Sequence, residues 1–451
     1  MARSSYHLFT YANLYYFFST CFCILLLLLL LDFPGNTVSQ SMVPYLPGFG
    51  PLPFELETGY VTVDDSNGDP LLFWFTGGPG CSGLSAIMTE IGPLSFEKVK
   101  YNGSLPTLIL NPYSWTKVSN IVFLDAPVDT GFSYSRSLQG SFSSNTIFAN
   151  HSHTFIRKWL LGHPEFLSNP LYVAAYSRHT VKGYVIVSDI LYIQGYLLGN
   201  PVTNQNLEVN SQIPFAYGMG IISYELFKSA KKNCRGNYVN VDPSNLQCKK
   251  DLQAFTECTE GIYRQNILDP VCSYSDANKI IRDRRLLREN SSNIILPPPK
   301  GLELWCRHYN YLPLHYWAND YGVQAALNVR KGTVMKWIRC NFDVQFLFNV
   351  ESSIGYHLYL SKKGYRSLIY SGDHDMDVPS MSTQAWIRSL KSSISDEWRQ
   401  WLVNDQVAGY TRTYSNNLTY ASVKGAGHTA AENKPEECFA MIKRWLSYEP
   451  L

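Results

Sequence analysis

Three side chains that lie far apart in the chain, Ser177, Asp375 and His428, have the types needed for nucleophilic catalysis. A serine hydroxyl is a weak nucleophile until an imidazole takes its proton, and a buried carboxylate fixes the tautomer of that imidazole and stabilises the cation that forms. Each of the three follows a strand-like run, at residues 171–176, 367–370 and 420–423. The pattern predicts a serine nucleophile, a histidine base and an orienting aspartate.

The elements that must position these side chains are short apolar runs that end abruptly in turn residues. Four runs behave in this way, at residues 71–75, 121–124, 171–176 and 367–370. Helical patterns lie between and after them, at Phe155, Trp159 and Leu160 and again at Phe439, Ile442 and Trp445. Alternating strands and helices predict a mostly parallel α/β sheet, in which active groups sit at the carboxyl ends of strands. The chain order Ser, Asp, His is that of α/β-hydrolases.

The glycine-rich loop after residues 71–75 could complete such a site. Gly77 and Gly78 can present backbone N–H groups to the oxygen that becomes negatively charged in a tetrahedral intermediate. Losing one such donor costs roughly 3 to 4 kcal/mol of transition-state stabilisation. The alternative interpretation of this loop is a tight turn without a catalytic role.

The composition excludes several classes of protein. The chain has 451 residues and a formal net charge of +2, and charged residues make up 16% of it, against a usual figure of about 25%. We therefore expect no nucleic-acid partner. With 45% hydrophobic and 14% aromatic residues, the chain is too apolar to be disordered. Its cysteines form no Cys-x-x-Cys pair and no regular Cys/His spacing, so we expect no metal site, and nothing in the sequence calls for a cofactor.

The N-terminus indicates the secretory pathway. Residues 25–31 are seven consecutive leucines, and Thr37 and Ser39 suit the −3 and −1 positions of a signal-peptidase site. We predict a signal peptide at residues 1–39 and an extracellular or vacuolar protein. A membrane anchor at residues 14–31 is the alternative if the signal is not cleaved. Four sequons fit a glycosylated protein of the secretory pathway, at Asn102, Asn150, Asn290 and Asn417.

The chain divides into a core with an insertion. We predict that residues 40–205 and 326–451 form the two parts of an α/β-hydrolase core and that residues 206–325 form an insertion or cap. Within the insertion, arginines at residues 282–288 lead into three consecutive prolines. Because acidic residues interrupt the arginines and no aromatic residues are interleaved, a solvated loop is favoured over a nucleic-acid patch.

Several longer motifs resemble the plant serine carboxypeptidase-like family, in particular its acyltransferase branch. They run nearly end to end and include FTGGPGCS at residues 75–82, GYLLGNP at 195–201, SGDHDM at 371–376 and GHTAAENKPEECFAMIKRW at 427–445. The resemblance implies an α/β-hydrolase fold with a disulfide-bearing cap, no cofactor, and Ser177, Asp375 and His428 as the catalytic triad. It also implies that the backbone N–H groups of Gly78 and Arg178 form the oxyanion hole, and that Thr76, Gly77 and Tyr176 contact the substrate.

The same resemblance implies three disulfides, namely Cys81 with Cys340, Cys234 with Cys248 and Cys272 with Cys306. Cys258 and Cys438 have no family partner. Family peptidases usually carry Asn before the paired glycines and the acyltransferases carry Thr, which is Thr76 here. The resemblance therefore implies acyl transfer from a 1-O-acyl-glucose ester to an acceptor through an acyl-serine.

The nucleophile region departs from the family pattern. Where the family reads Gly-Asp-Ser-Tyr-Ser-Gly, or Gly-Glu-Ser-Tyr-Ala-Gly in its peptidases, residues 175–180 read AYSRHT, so an acidic residue is replaced by Tyr176. Asp129 stands where a glycine is expected, and the segments after residue 63 and after Ser177 are short. Three alternatives follow. The protein could be a carboxypeptidase acting on a peptide C-terminus, a catalytically impaired relative with a binding or structural role, or a truncated gene product that folds poorly.

Overall fold

The computed structural model describes residues 41–58, 69–99, 101–177, 193–271 and 307–451. Ser41–Leu451 forms one compact unit. The predicted signal segment 1–39, Arg178, Cys272, Asn290, Cys306 and the basic stretch at residues 282–288 lie outside the described residues. Within those described, no helix is both long enough and apolar enough to cross a membrane.

The centre of the molecule is an eight-stranded sheet with the spatial order β6-β7-β8-β5-β4-β3-β1-β2. Strands β2, β1, β3, β4, β5 and β8 are parallel to their neighbours in this order, and β6 and β7 continue the sheet as an antiparallel extension. In chain order the strands are β1 Leu71–Phe75, β2 Asn120–Leu124, β3 Leu171–Tyr176, β4 Ile193–Gly199, β5 Arg366–Gly372, β6 Ile394–Val403, β7 Gln406–Tyr414 and β8 Leu418–Val423. The predicted mostly parallel sheet is confirmed.

Helices cover both faces of the sheet and build the region between β4 and β5. They are α1 Gly83–Thr89, α2 Asn145–Gly162, α3 Gln205–Gly218, α4 Tyr224–Asn233, α5 Leu246–Thr259, α6 Arg307–Asn310, α7 Leu312–Ala318, α8 Tyr321–Ala326, α9 Ile354–Lys362, α10 Ser380–Ser389, α11 Ala430–Asn433 and α12 Pro435–Leu446. Short strands pair outside the central sheet, namely Ser41–Met42 with Glu57–Thr58, Tyr45–Leu46 with Gly50–Pro51, Leu94–Phe96 with Leu108–Leu110 and Ser143–Ser144 with Phe346–Leu347.

The sheet is buried because its strands carry apolar residues on both faces. In β1, Leu71, Phe73 and Phe75 point into one core layer, and Leu72 and Trp74 point into the other. The first layer includes Trp159 of α2, and the second includes Ile442 and Trp445 of α12. Fully burying each such side chain stabilises the fold by about 1.5 to 3 kcal/mol. A parallel sheet covered on both faces reads as a continuous apolar run, which is why these strands could be predicted from sequence.

The region between β4 and β5 has a small core of its own. Helices α3, α4 and α5 contribute apolar side chains such as Phe215, Ala230 and Phe255, and Met376 from the loop after β5 packs among them. The Cys234–Cys248 disulfide joins the end of α4 to α5. This helical layer occupies the position of the predicted cap, whose outer bounds at residues 206 and 325 stay a prediction.

Two of the three implied disulfides are confirmed. Cys81 is bonded to Cys340 and Cys234 to Cys248, whereas the Cys272–Cys306 pair lies outside the described residues. Cys258 is free and exposed, and Cys438 is free and buried. The sequons at Asn102, Asn150 and Asn417 are on the surface, which leaves them open to glycosylation, and their occupancy stays a prediction.

Candidate active site

The parallel strands bring four loops to one edge of the sheet. Strand β1 leads into Thr76, β3 into Ser177, β5 into the loop that holds Asp375, and β8 into the loop that holds His428. Strands β1, β3, β4, β5 and β8 are consecutive neighbours in the sheet, so their carboxyl ends form a continuous row. The sheet therefore gathers residues that are up to 352 positions apart in the chain, from Thr76 to His428.

Ser177 directly follows β3 and has a left-handed backbone conformation. Its φ is 60°, in the left-handed region that costs a non-glycine residue energy and that is concentrated at functional sites. The turn is tight enough that a Cβ placed on Gly77 would lie 2.9 Å from the Cβ of Ser177. Glycine at position 77 is therefore required for the close approach of the two loops. The unusual residues that follow Ser177 lie outside the described ranges.

Asp375 is completely buried and its carboxylate is fully engaged in hydrogen bonds. Its Oδ2 accepts a hydrogen bond from Nδ2 of Asn200 at 2.8 Å and from Nδ1 of His428 at 2.7 Å. Its Oδ1 accepts from the backbone N–H groups of Asp377 and Val378 at 2.9 and 3.1 Å. Because these four donors fix the direction of the carboxylate, it is suited to orient an imidazole.

The environment of His428 favours its protonated form. Burial alone would lower the pKa of His428, but the adjacent Asp375 carboxylate, by its charge and its hydrogen bond, more than offsets this and raises the pKa above its ordinary value. With Nδ1 donating to Asp375, the other ring nitrogen, Nε2, is the one left for proton exchange. The imidazole is thus prepared to accept a proton and to be stabilised as a cation.

Ser177 and His428 line one cavity of about 640 Å³, together with Gly77 and Gly78. Gly78 has a φ of 129°, which residues with a side chain rarely adopt. The structure therefore brings together the predicted nucleophile, base and glycine loop around one space, with Asp375 behind the histidine. The second predicted oxyanion donor, Arg178, lies outside the described residues.

The two other residues predicted to contact substrate differ in their access to the cavity. Tyr176 lines it, and its ring lies edge-on to the His428 ring with 6.0 Å between centroids. Thr76 is only 1% exposed, and among the described residues its hydroxyl has no hydrogen-bond partner. Thr76 is therefore buried next to the glycine loop, and Gly77 and Gly78, not Thr76, line the cavity.

A buried polar cluster backs one end of the cavity, and no sequence motif points to it. The Tyr176 hydroxyl hydrogen-bonds the carboxyl of Glu90, and burial, reinforced by the Glu432 carboxylate, raises the pKa of Glu90 to about 7. The guanidinium of Arg339 lies 3.7 Å above the ring centre of Tyr311, whose hydroxyl donates to Glu432 at 2.8 Å. These residues come from distant parts of the chain and share no sequence motif. The cluster is therefore recognised only in the folded structure, where the residues lie close together.

Asn200 and Asp377 were also missed as site residues. Asn200 follows β4 within the GYLLGNP motif. A polar residue directly after a buried strand was the sequence signal that could have identified it as a site residue.

In the parts of the chain described, no group of three or more His, Cys, Asp or Glu side chains could hold a metal ion.

Comparison with known proteins identifies the family. A profile of the serine carboxypeptidase family matches residues 47–448. Serine carboxypeptidase-like 17 of Arabidopsis thaliana is 45% identical over 441 residues, covering 92% of this chain and 94% of its own. Serine carboxypeptidase-like 19 of the same plant is 46% identical over 466 residues, covering 95% and 99%.

A solved structure shows the same fold at lower sequence identity. A prohormone-processing carboxypeptidase from Saccharomyces cerevisiae superposes with a TM-score of 0.68 and 20% identity over 86% of each chain. This likeness establishes the fold, an α/β-hydrolase sheet with a helical insertion, as the sequence predicted. Together with the family profile and the plant relatives, it shows that the chain belongs to the serine carboxypeptidase family.

Proposed function

We propose that this protein is an acyl-serine enzyme with Ser177 as nucleophile, His428 as general base and Asp375 as the group that orients it. The observation that carries the proposal is the 2.7 Å hydrogen bond from His428 to the buried Asp375, in the wall of a cavity that Ser177 also lines. Left-handed backbone at Ser177 supports the same assignment. The position of Ser177 at the end of β3 also supports it, because α/β-hydrolases carry their nucleophile at a strand end.

The reaction then takes two steps. In the first, the Ser177 hydroxyl attacks the ester carbonyl, His428 takes its proton, and the same proton passes to the departing alcohol as the acyl-serine forms. In the second, an acceptor hydroxyl or amine attacks the acyl-serine while His428 takes its proton and returns it to Ser177. The N–H of Gly78, with that of Arg178 as its predicted partner, stabilises the oxyanion in both steps.

We propose acyl transfer from a 1-O-acyl-glucose ester to an acceptor, in plant secondary metabolism, as the specific activity. Thr76 in place of the asparagine of peptidases supports it, whereas Tyr176 replaces an acidic residue that both branches carry and does not separate them. Ser177 and His428 are only 9% and 7% exposed, and a site that restricts water favours transfer over hydrolysis. The two disulfides fit an oxidising compartment, which supports entry into the secretory pathway.

Carboxypeptidase activity is the second candidate, and one observation favours it. Arg339 lines the cavity, and among the described residues it makes no ion pair within 4.0 Å. Burial of Glu90 keeps that nearby carboxyl largely neutral below a pH of about 7. A guanidinium that has no carboxylate of the described residues within ion-pair distance suits the carboxylate at the C-terminus of a peptide.

A substrate comparison separates the two candidates. Purified, secreted protein is given a 1-O-acyl-glucose with an alcohol or amine acceptor and, in a separate reaction, an N-blocked dipeptide. Acyl transfer with release of glucose supports the proposal. Release of a C-terminal amino acid without acyl transfer overturns it in favour of the peptidase, and in that case Arg339→Gln is expected to raise KM for the dipeptide more than for its C-terminal amide.

A further inference from the structure

We propose that residues 263–267 of the cap, which we call the bracing segment, act as a positioning element that sets the geometry between Asp375 and His428. The proposal rests on the proposed function, because it assigns a role to groups that support those two side chains. Asp375 and His428 lie on loops from different strands, 53 positions apart in sequence. A misplacement of about 1 Å in such a pair can cost about a hundredfold in rate. Something must therefore hold the two loops together.

The bracing segment contacts the histidine loop through its backbone. The carbonyl of Gln265 accepts a hydrogen bond from the backbone N–H of His428 at 2.6 Å. The approach is close, because a Cβ added to Gly427 would lie 2.2 Å from that carbonyl oxygen and 2.4 Å from the Cβ of Asn266. The backbone of the catalytic histidine is thus fixed against the cap.

The same segment also contacts the aspartate loop, on both sides of Asp375. The backbone N–H of Met376 donates to the carbonyl of Arg264 at 2.9 Å, and the N–H of Ile267 donates to the carbonyl of His374 at 3.1 Å. Met376 is fully buried, so its backbone N–H would be costly to leave without a partner. Five consecutive residues therefore bridge the two loops that the catalytic hydrogen bond must join.

Side chains reinforce the bridge next to the cavity. The Arg264 guanidinium lies 3.4 Å from Oδ1 of Asp377, two residues after Asp375, and it also donates to the side-chain oxygen of Gln212 on α3. Gln212 in turn donates to the backbone carbonyl of Asp377 at 3.3 Å. Because Arg264 and Asp377 are each more than one-third exposed, their ion pair is worth little energy and mainly restricts geometry.

The test uses Gly427→Ala, which adds one methyl group between the bracing segment and the histidine loop. No left-handed φ restricts this position, so the substitution acts through the contact with Gln265. Gly261→Ala is the matched control, because a Cβ there meets no atom within 4 Å and the residue lies in the same cap. Both variants are compared with the parent full-length protein, using an activated phenyl ester that any acyl-serine enzyme can cleave.

For Gly427→Ala we expect kcat to fall by about tenfold to a hundredfold with little change in KM. We also expect the acidic limb of the kcat/KM profile to move to lower pH, since a weaker bond to Asp375 raises the pKa of His428 less. The other charged groups acting on His428 are Asp377, which acts in the same direction, and Arg307, which acts in the opposite one. Gly261→Ala should match the parent.

A second substitution keeps the proposal testable if Gly427→Ala does not fold. Arg264→Leu should lower kcat with a similar shift of the pH profile, and Arg264→Lys should recover part of the loss. A folded Gly427→Ala or Arg264→Leu variant with parental kcat and pH profile overturns the bracing role, as does a change in KM alone. Failure of the proposed function is a different result, because the parent protein itself would then show no turnover of the ester.

Discussion

Replacing Glu90 by Gln should change stability in a pH-dependent way. The Glu90→Gln variant should become more stable relative to the parent protein as the pH rises. Glu90 is 6% exposed, and burial, reinforced by Glu432, raises its pKa from 4.5 to about 7. Because the pKa of Glu90 is higher in the folded than in the unfolded protein, protonation of its carboxyl stabilises the folded state. This contribution to the free energy of unfolding is complete below pH 4.5 and is lost as the pH rises through about 7. The change in pKa corresponds to about 3 kcal/mol, because each pKa unit is worth about 1.4 kcal/mol.

The assay is thermal unfolding of the parent and of Glu90→Gln at several pH values between 4 and 8.5. The Tm difference, variant minus parent, should increase through the range from 4.5 to about 7 and level off above it. For a chain of this size we expect a total change of a few degrees. Glu397→Gln is the control for loss of a surface carboxyl, since that side chain is 78% exposed. A Tm difference for Glu90→Gln that is flat or falls with rising pH would refute the reasoning.

Two further predictions concern the catalytic pair and the cap. Asp375→Asn should lower kcat by about 10⁴ in an ester-cleavage assay, because the amide favours the wrong tautomer of His428, and a variant that keeps parental kcat would contradict its orienting role. Replacing Cys234 and Cys248 together by Ser should lower the free energy of unfolding of the cap by about 3 kcal/mol, because the disulfide closes a loop with a sequence separation of 14. Urea denaturation measures this loss, and an unchanged midpoint would contradict it.

The strands, and the placement of the candidate catalytic side chains at strand ends, could be predicted from sequence because each depends on local pattern. Residues 71–75 and 171–176 are apolar runs that stop at a turn, and they coincide with β1 and β3. Parallel strands place their carboxyl ends at one edge, so the position of His428 and Asp375 at that edge followed from the predicted parallel arrangement. Asp129, which replaces an expected glycine, does adopt a left-handed φ of 68°, a conformation that aspartate tolerates better than most residues.

The polar support of the site could not be predicted in the same way. Glu90 and Arg339 lie 249 positions apart in sequence, and only the folded chain brings them to the same end of the cavity. The bracing segment acts through backbone N–H and carbonyl groups, which every residue carries and which leave no trace in residue type. Such contacts depend on how the cap packs against the sheet, and periodicity within one element does not determine that packing.

The most direct test of the account is covalent labelling of Ser177 by an active-site-directed fluorophosphonate. A serine that His428 can deprotonate attacks the phosphorus and displaces fluoride, whereas an ordinary surface hydroxyl does not react. Secreted protein is labelled in parallel with Ser177→Ala and His428→Ala. We expect labelling of the parent, none of Ser177→Ala, and strongly reduced labelling of His428→Ala. Equal labelling of the parent and Ser177→Ala, or no labelling of a folded parent protein, would contradict it.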